Sequence, residues 1–181
     1  MTVSTQPLTG TFVVDPIHSL LQFSVKHMGV SMFSASFDDF DARVTGDEQG
    51  LRLEGTVRVE SLGIKNPDFR GHVLGGADFF DATNHPELSF RSTDVELNED
   101  GSARLDGELT IKGITKPFTA TGSYQPVTED VAGKRRMGVE FEATVDRRDW
   151  DFSFQAQLPK GGDALGNQVK LTVRAELVEE A

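Results

Sequence analysis

The chain contains no cysteine, which excludes disulfides, cysteine-ligated zinc, iron–sulfur clusters and thiol nucleophiles. Aromatic residues with a polar handle are nearly absent too: against 13 Phe there is one Tyr and one Trp. Whatever interior the chain builds, its aromatic surface offers almost no hydrogen-bonding groups. Uninterrupted apolar runs extend only a few residues, far short of the ~18 that a membrane-spanning helix requires. Basic residues are outnumbered, 18 Lys and Arg to 29 Asp and Glu, for a formal charge of −11. That balance argues against nucleic acid as a partner, because affinity for phosphate backbones comes largely from Lys and Arg displacing counterions. It argues equally against docking on anionic lipid surfaces. The opening Met1–Pro7 has neither a basic region nor an apolar stretch of the kind a signal peptide carries, so the expected compartment is cytoplasmic.

What is present is a normal globular composition. The apolar set is 37 %, and adding 18 Gly among 181 residues brings it to about 47 %, enough for one domain with an ordinary core. Segment after segment alternates at period 2, the signature of strands with one face buried and one wet. Leu51, Leu53, Gly55, Val57 and Val59 point one way while Arg52, Glu54, Thr56, Arg58 and Glu60 point the other. The pattern returns at Ala103–Lys112, Met137–Asp146 and Val169–Leu177, and more weakly at Gly10–Asp15, Ser19–Lys26, Met32–Val44, Leu88–Leu97, Thr115–Gln125 and Trp150–Gln157. Short polar, Gly-containing links such as Asn98–Gly101 separate most of them and predict hairpins in an antiparallel meander.

Alternation fails over Asn66–Asn84, where Pro67 near the start and Gly75-Gly76 at the end delimit one short helix, read as a plug or lid. An antiparallel sheet of this size hides its edges best by closing into a barrel, whose interior at eight strands holds side chains only or one small ligand. Gly55, Gly107, Gly122 and Gly138 on strand faces fit bending or interior clearance, or else mark bulges.

Several motifs occur in order along the chain. They are Asp15-Pro16-Ile17-His18-Ser19 with Phe23-Ser24-Val25-Lys26-His27; Asp78-Phe79-Phe80-Asp81 with His85-Pro86 and Phe90-Arg91-Ser92; Gly107–Pro117; and Arg147-Arg148-Asp149-Trp150. Together they resemble the YceI-like, polyisoprenoid-binding family over nearly the whole chain from Gly10. The resemblance implies an all-β fold, an antiparallel eight-stranded lipocalin-like β-barrel with one short helix. It also implies non-catalytic binding, storage or transport of an isoprenoid or other amphiphilic lipid in the lumen. Residues 1–9 are expected as a flexible N-terminal segment and 10–181 as the barrel domain. The chain departs from the family pattern at Ala35-Ser36, Arg70-Gly71-His72-Val73 and Asp151, positions at the lumen or its mouth, which leaves the identity of the ligand open.

The ligand-lining residues expected on this basis are Phe23, Val25, Phe33, Phe37, Phe40 and Phe79, together with Phe80, Phe90, Phe141, Trp150 and Phe152; the plainer alternative is that all of them fill a core. His27 falls on the apolar face at a strand end, placed either to meet a polar head group or to anchor the Met28-Gly29 turn. Arg70 is a second head-group candidate, and Arg147 a third, whereas Arg148 reads as a surface ion pair. His18 and His27 lie nine apart, on opposite strand faces, and no paired His spacing occurs, so neither a metal site nor a cofactor is expected. No nucleophile elbow or phosphate-binding loop is present, and no catalytic residue is assigned. The alternatives are an isomerase- or cyclase-type enzyme acting on an apolar chain through His27, Arg70 or His72, and a filled barrel that serves as an interaction module. Neither stable membrane insertion nor a nucleic-acid partner is expected; a homodimer is left open.

Overall fold

The computed structural model describes residues 8–181, so the expected N-terminal segment 1–9 lies, apart from Leu8 and Thr9, outside the described residues. Ten strands and one α-helix make up the fold. The strands are β1 (Gly10–Val14), β2 (Leu20–His27), β3 (Ser31–Phe37), β4 (Phe40–Asp47), β5 (Gly50–Arg58), β6 (Glu87–Leu97), β7 (Ser102–Ile111), β8 (Ile114–Glu129), β9 (Arg135–Asp146) and β10 (Leu165–Glu179); the helix is α1 (Pro67–Gly75). Every ladder is antiparallel, and the hydrogen-bonded order β1-β4-β5-β6-β7-β8-β9-β10 returns from β10 to β1, closing the ring.

Ten segments make eight strands because two of the eight are broken. β1 and β2 both pair with β10, along different stretches of it, and a 3-10 turn at Pro16–His18 interrupts them. Pro16 fixes that turn, and the Asp15 side chain caps it by accepting from the Ile17 amide. Likewise β3 pairs with β2 and β4 with β1, the break falling at the exposed Asp38-Asp39. The predicted continuous strand Met32–Val44 is therefore two segments. Beyond the break, β3 is bridged only by Phe37 to Leu62 and by the Gly63 amide to the Ser36 carbonyl at 2.8 Å. The segment leading to α1 occupies the space beside it.

The helix forms where the sequence places it. Asn66 caps it by accepting from the Phe69 amide at 2.8 Å and Pro67 opens its first turn. Its buried face, Val73 and Leu74, packs with Phe37, Val59, Leu62 and Phe80. The opposite end of the barrel is closed by a second cluster that includes Phe12, Val44, Tyr124, Met137, Val139 and Leu177.

Gly107 and Gly122 mark close approach between strands. A Cβ at Gly122 would stand 1.8 Å from the Glu140 carbonyl oxygen, and one at Gly107 2.3 Å from that of Arg91. The ladder shifts register between Ser92 and Asp94, across from Gly107, between Gln125 and Thr128, across from Gly138, and between Leu165 and Val169. The predicted strand Trp150–Gln157 does not form. Arg147–Trp150 is a 3-10 turn, and beyond it the chain runs irregularly, tied by the Phe154 amide to the Asp78 carbonyl at 3.2 Å. Its alternating Trp150, Phe152 and Phe154 bury rings without joining the sheet. No helix among the described residues is long and apolar enough to cross a membrane.

Candidate ligand-binding site

Inside the barrel, between the closed end and α1, is a cavity of about 520 Å³. The alternating positions of the sheet build its wall. Leu53, Gly55 and Val57 come from β5, Leu105, Leu109 and Ile111 from β7, Val139, Phe141, Ala143 and Val145 from β9, and Val169, Leu171, Val173, Ala175 and Leu177 from β10. Of the 13 Phe, all but Phe12 border it. Most of the rings meet tilted or edge-on, whereas Phe79 and Phe154 stack at 4.8 Å. Phe37 and Phe80 are edge-to-face at 5.7 Å, as are Phe80 and Phe152 at 5.0 Å, while Phe23 lies tilted against Phe33, Phe37 and Phe80. Such pairs are favourable contacts that fix the rings against one another.

The cavity wall holds Phe23, Val25, His27, Phe33, Phe37 and Phe40, and also Phe79, Phe80, Phe90, Phe141, Trp150 and Phe152. Trp150 is almost wholly buried and donates its indole N–H to the Leu109 carbonyl at 3.2 Å. Arg70 stands apart from these. Its Nε donates to the Leu62 carbonyl at 2.9 Å and its Nη2 to that of Glu60, so it ties α1 to the preceding turn and does not border the cavity. Three phenylalanines of the wall were not among those expected from the sequence: Phe69, Phe118 and Phe154. For Phe118 a signal existed, since it shares the phase of Ala120 on β8; Phe69 and Phe154 lie outside the sheet, where period 2 says nothing.

Few polar groups reach the wall. His27 lies at the end of β2, opposite Leu165 and Ser31, and its ring makes no hydrogen bond to the described residues; only its backbone carbonyl serves the turn, accepting from Val30. His72, on α1, packs edge-on against Phe79 at 5.3 Å and Phe154 at 6.4 Å. Arg147 is the one buried guanidinium, 6 % exposed. Its Nε donates to the Gly166 carbonyl at 2.8 Å and its Nη1 to that of Phe152, and it makes no ion pair with the described residues. Burial pulls its pKa below the usual arginine value. Arg148 by contrast is exposed and paired with Asp146 at 2.6 Å. Lys112 is buried although nothing in the sequence announces it. At a hairpin tip with Gly113, both at positive φ, its Nζ donates to the Ala77 and Asp151 carbonyls at 2.7 Å and lies over the Phe152 ring. It thereby joins the hairpin to the irregular segments that border the cavity.

Of the titratable side chains on the wall, His27, His72 and Arg147 make no hydrogen bond to one another. The one cluster of metal-type side chains among the described residues, Asp15, His18 and Glu176, lies outside the barrel, where Arg136 donates to both carboxylates at 2.9 and 2.8 Å.

The chain matches the model of the YceI-like domain over residues 12–177. Among curated proteins it is 33 % identical over 169 residues to a UPF0312 protein of Staphylococcus aureus, covering 91 % of this chain and 95 % of that one. Its fold is similar to that of Burkholderia cenocepacia BcnA, with a TM-score of 0.72, 21 % identity and coverage of 90 % of this chain and 98 % of the other. It is also similar to a polyisoprenoid-binding domain from Saccharophagus degradans, with a TM-score of 0.70, 10 % identity and coverage of 96 % and 100 %.

Proposed function

This chain belongs to the YceI-like domain family, and from that premise we propose that it binds and carries an isoprenoid or other long-chain lipid, without catalysis, in the barrel cavity. The observation that carries this is the wall itself: about 520 Å³ bordered by all but one of the 13 Phe and by few polar groups. That volume lies within the ~300–1,000 Å³ of small-molecule pockets. Water there would find few hydrogen-bonding partners, whereas an apolar chain loses nothing by entering. Burial at ~0.8 kcal/mol per methylene amounts to roughly 15 kcal/mol gross for ~20 carbons, before ordering and association costs remove much of it. A single head-group contact contributes about 1–3 kcal/mol, so tails are selected broadly and head groups modestly. Arg147 and His27 are the groups placed to meet a polar head, Arg147 because it lies on the wall without a carboxylate partner.

Native mass spectrometry of gently purified protein, followed by lipid extraction, tests this. The expected result is a bound apolar chain that is lost in Ala143→Phe, whose added ring occupies the cavity while the protein stays folded. Wild-type protein that carries no lipid and takes up no apolar fluorescent probe overturns it.

A further inference from the structure

Six large apolar side chains stand exposed among the described residues, and four of them, Met28 (43 %), Val30 (80 %), Met32 (54 %) and Phe69 (40 %), gather at the cavity end of the barrel. Three come from the β2–β3 hairpin and one from the first turn of α1. The two elements meet where the Phe33 ring packs edge-on against Phe69 at 5.7 Å. Met28 and Phe69 belong both to this rim and to the cavity wall, so the apolar surface runs unbroken from outside to inside. The hairpin is built at a local cost. Met28 and Gly29, the central residues of the His27–Val30 turn, both have positive φ, a conformation that favours Asn, Asp or Gly at the position Met28 holds.

Charge is distributed to match. Guanidinium groups on the outer surface of the barrel are held by carboxylates, Arg52, Arg104 and Arg136 among them. Lys26 beside the hairpin tip, Lys65 just before α1, and Lys160 are exposed and make no ion pair with the described residues. Lys160 lies in the turn preceding Ala164, whose carbonyl accepts from the Met28 amide at 2.7 Å. The formal −11 acts at long range, but at physiological salt it is screened beyond about 8 Å, so the local charges decide what the rim can touch: three lysines against the carboxylates of Asp68, in the first turn of α1, and Asp163, in the Lys160 turn.

We propose that this rim docks the protein on the surface of a phospholipid bilayer, the hairpin tip and Phe69 entering the head-group region while Lys26, Lys65 and Lys160 meet anionic head groups. It deepens the carrier role, on which it rests: the lipid passes between bilayer and cavity across Met28 and Phe69 without crossing water. An exposed apolar patch of this kind, continuous with an apolar cavity, is expected at a surface where lipid is exchanged.

Flotation with vesicles of phosphatidylcholine mixed with phosphatidylglycerol tests the docking. The wild-type protein floats, and Val30→Glu combined with Met32→Glu lowers the floated fraction about tenfold or more while leaving the bound lipid, read by native mass spectrometry, unchanged. Replacing Lys26, Lys65 and Lys160 by Gln lowers flotation on the mixed vesicles severalfold and leaves it unchanged on pure phosphatidylcholine, which has no net charge; a triple variant that floats on the mixed vesicles like the wild type overturns the contact with anionic lipid. Wild-type protein that stays behind on either vesicle, or a double Glu variant that floats like the wild type, overturns it. So does a size-exclusion profile in which the double variant loses a dimer and nothing else, which assigns the rim to a second copy of the chain. Protein that floats but never carries lipid leaves the docking standing and ends the carrier role; protein that carries lipid but never floats does the reverse.

Discussion

At the closed end of the barrel Phe12 is wholly buried among Val44, Tyr124, Met137, Val139 and Leu177, whereas the other phenylalanines surround an open volume. The closed end interlocks side chains of unlike shape, and its one phenol donates to the Asn98 carbonyl at 3.1 Å. Toward α1, ring packs against ring, mostly at steep angles, and a volume of about 520 Å³ is left between the walls. The barrel thus divides its labour: the closed end supplies cohesion, and the helix end keeps space. The closed end is where cavity formation and overpacking should be felt most.

The largest expected effect is at Phe12. Phe12→Ala should cost about 3–5 kcal/mol in urea unfolding, while Phe33→Ala, whose ring already borders empty space, should cost under about 2. Equal losses would erase the distinction between the ends. Next comes the sheet. Gly122→Ala forces a methyl into the Glu140 carbonyl and should cost about 2–3 kcal/mol. Gly55→Ala, on the cavity wall with its nearest neighbour at 3.4 Å, should fall under about 1 kcal/mol by the same unfolding assay.

A third contrast is in acid. Outside the closed end, hydrogen bonds from His18 and then Arg136 hold Asp15 at about 2, against an ordinary 3.8, and Arg136 holds Asp130 at about 2. Both pKa values are lower folded than unfolded. Their stabilisation is therefore complete above about pH 4 and is lost as the pH falls toward 2. In Arg136→Gln, urea midpoints should depend less on pH across that window than in the wild type. An unchanged acid limb would place the acid-sensitive contacts elsewhere. A change of comparable, small size is expected at the rim, where Met28→Asn should relieve the positive-φ turn and raise stability by about 0.5–1 kcal/mol, while weakening vesicle flotation.

Much of the barrel was legible because one face of each strand meets an apolar interior and the other meets water. β5, β7, β9 and β10 fall within a few residues of their alternating runs, with the inward phase as read. Trp150–Gln157 misled for the same reason, since alternation reports burial and not sheet pairing: its rings reach the cavity from a segment tied by single hydrogen bonds. Nine of the twelve phenylalanines on the wall were legible. Arg70 was not, because a charge in sequence does not say whether it turns toward a lumen or back toward the carbonyls of Glu60 and Leu62. Nor was Lys112, whose burial depends on carbonyls distant in sequence that only the folded chain brings together.

The closure of the ring through β10 sets the order in which the molecule can be made. β10 alone pairs with β9 on one side and with both β1 and β2 on the other. During synthesis, a chain that has emerged through β9 is a curved sheet with two unpaired edges and its phenylalanines open to water, a state prone to aggregate. Joining the first strands to the last is a contact of maximal sequence separation, and such contacts form slowly. The barrel is therefore completed only after β10 leaves the ribosome, and until then the surface that becomes its interior is its most vulnerable part.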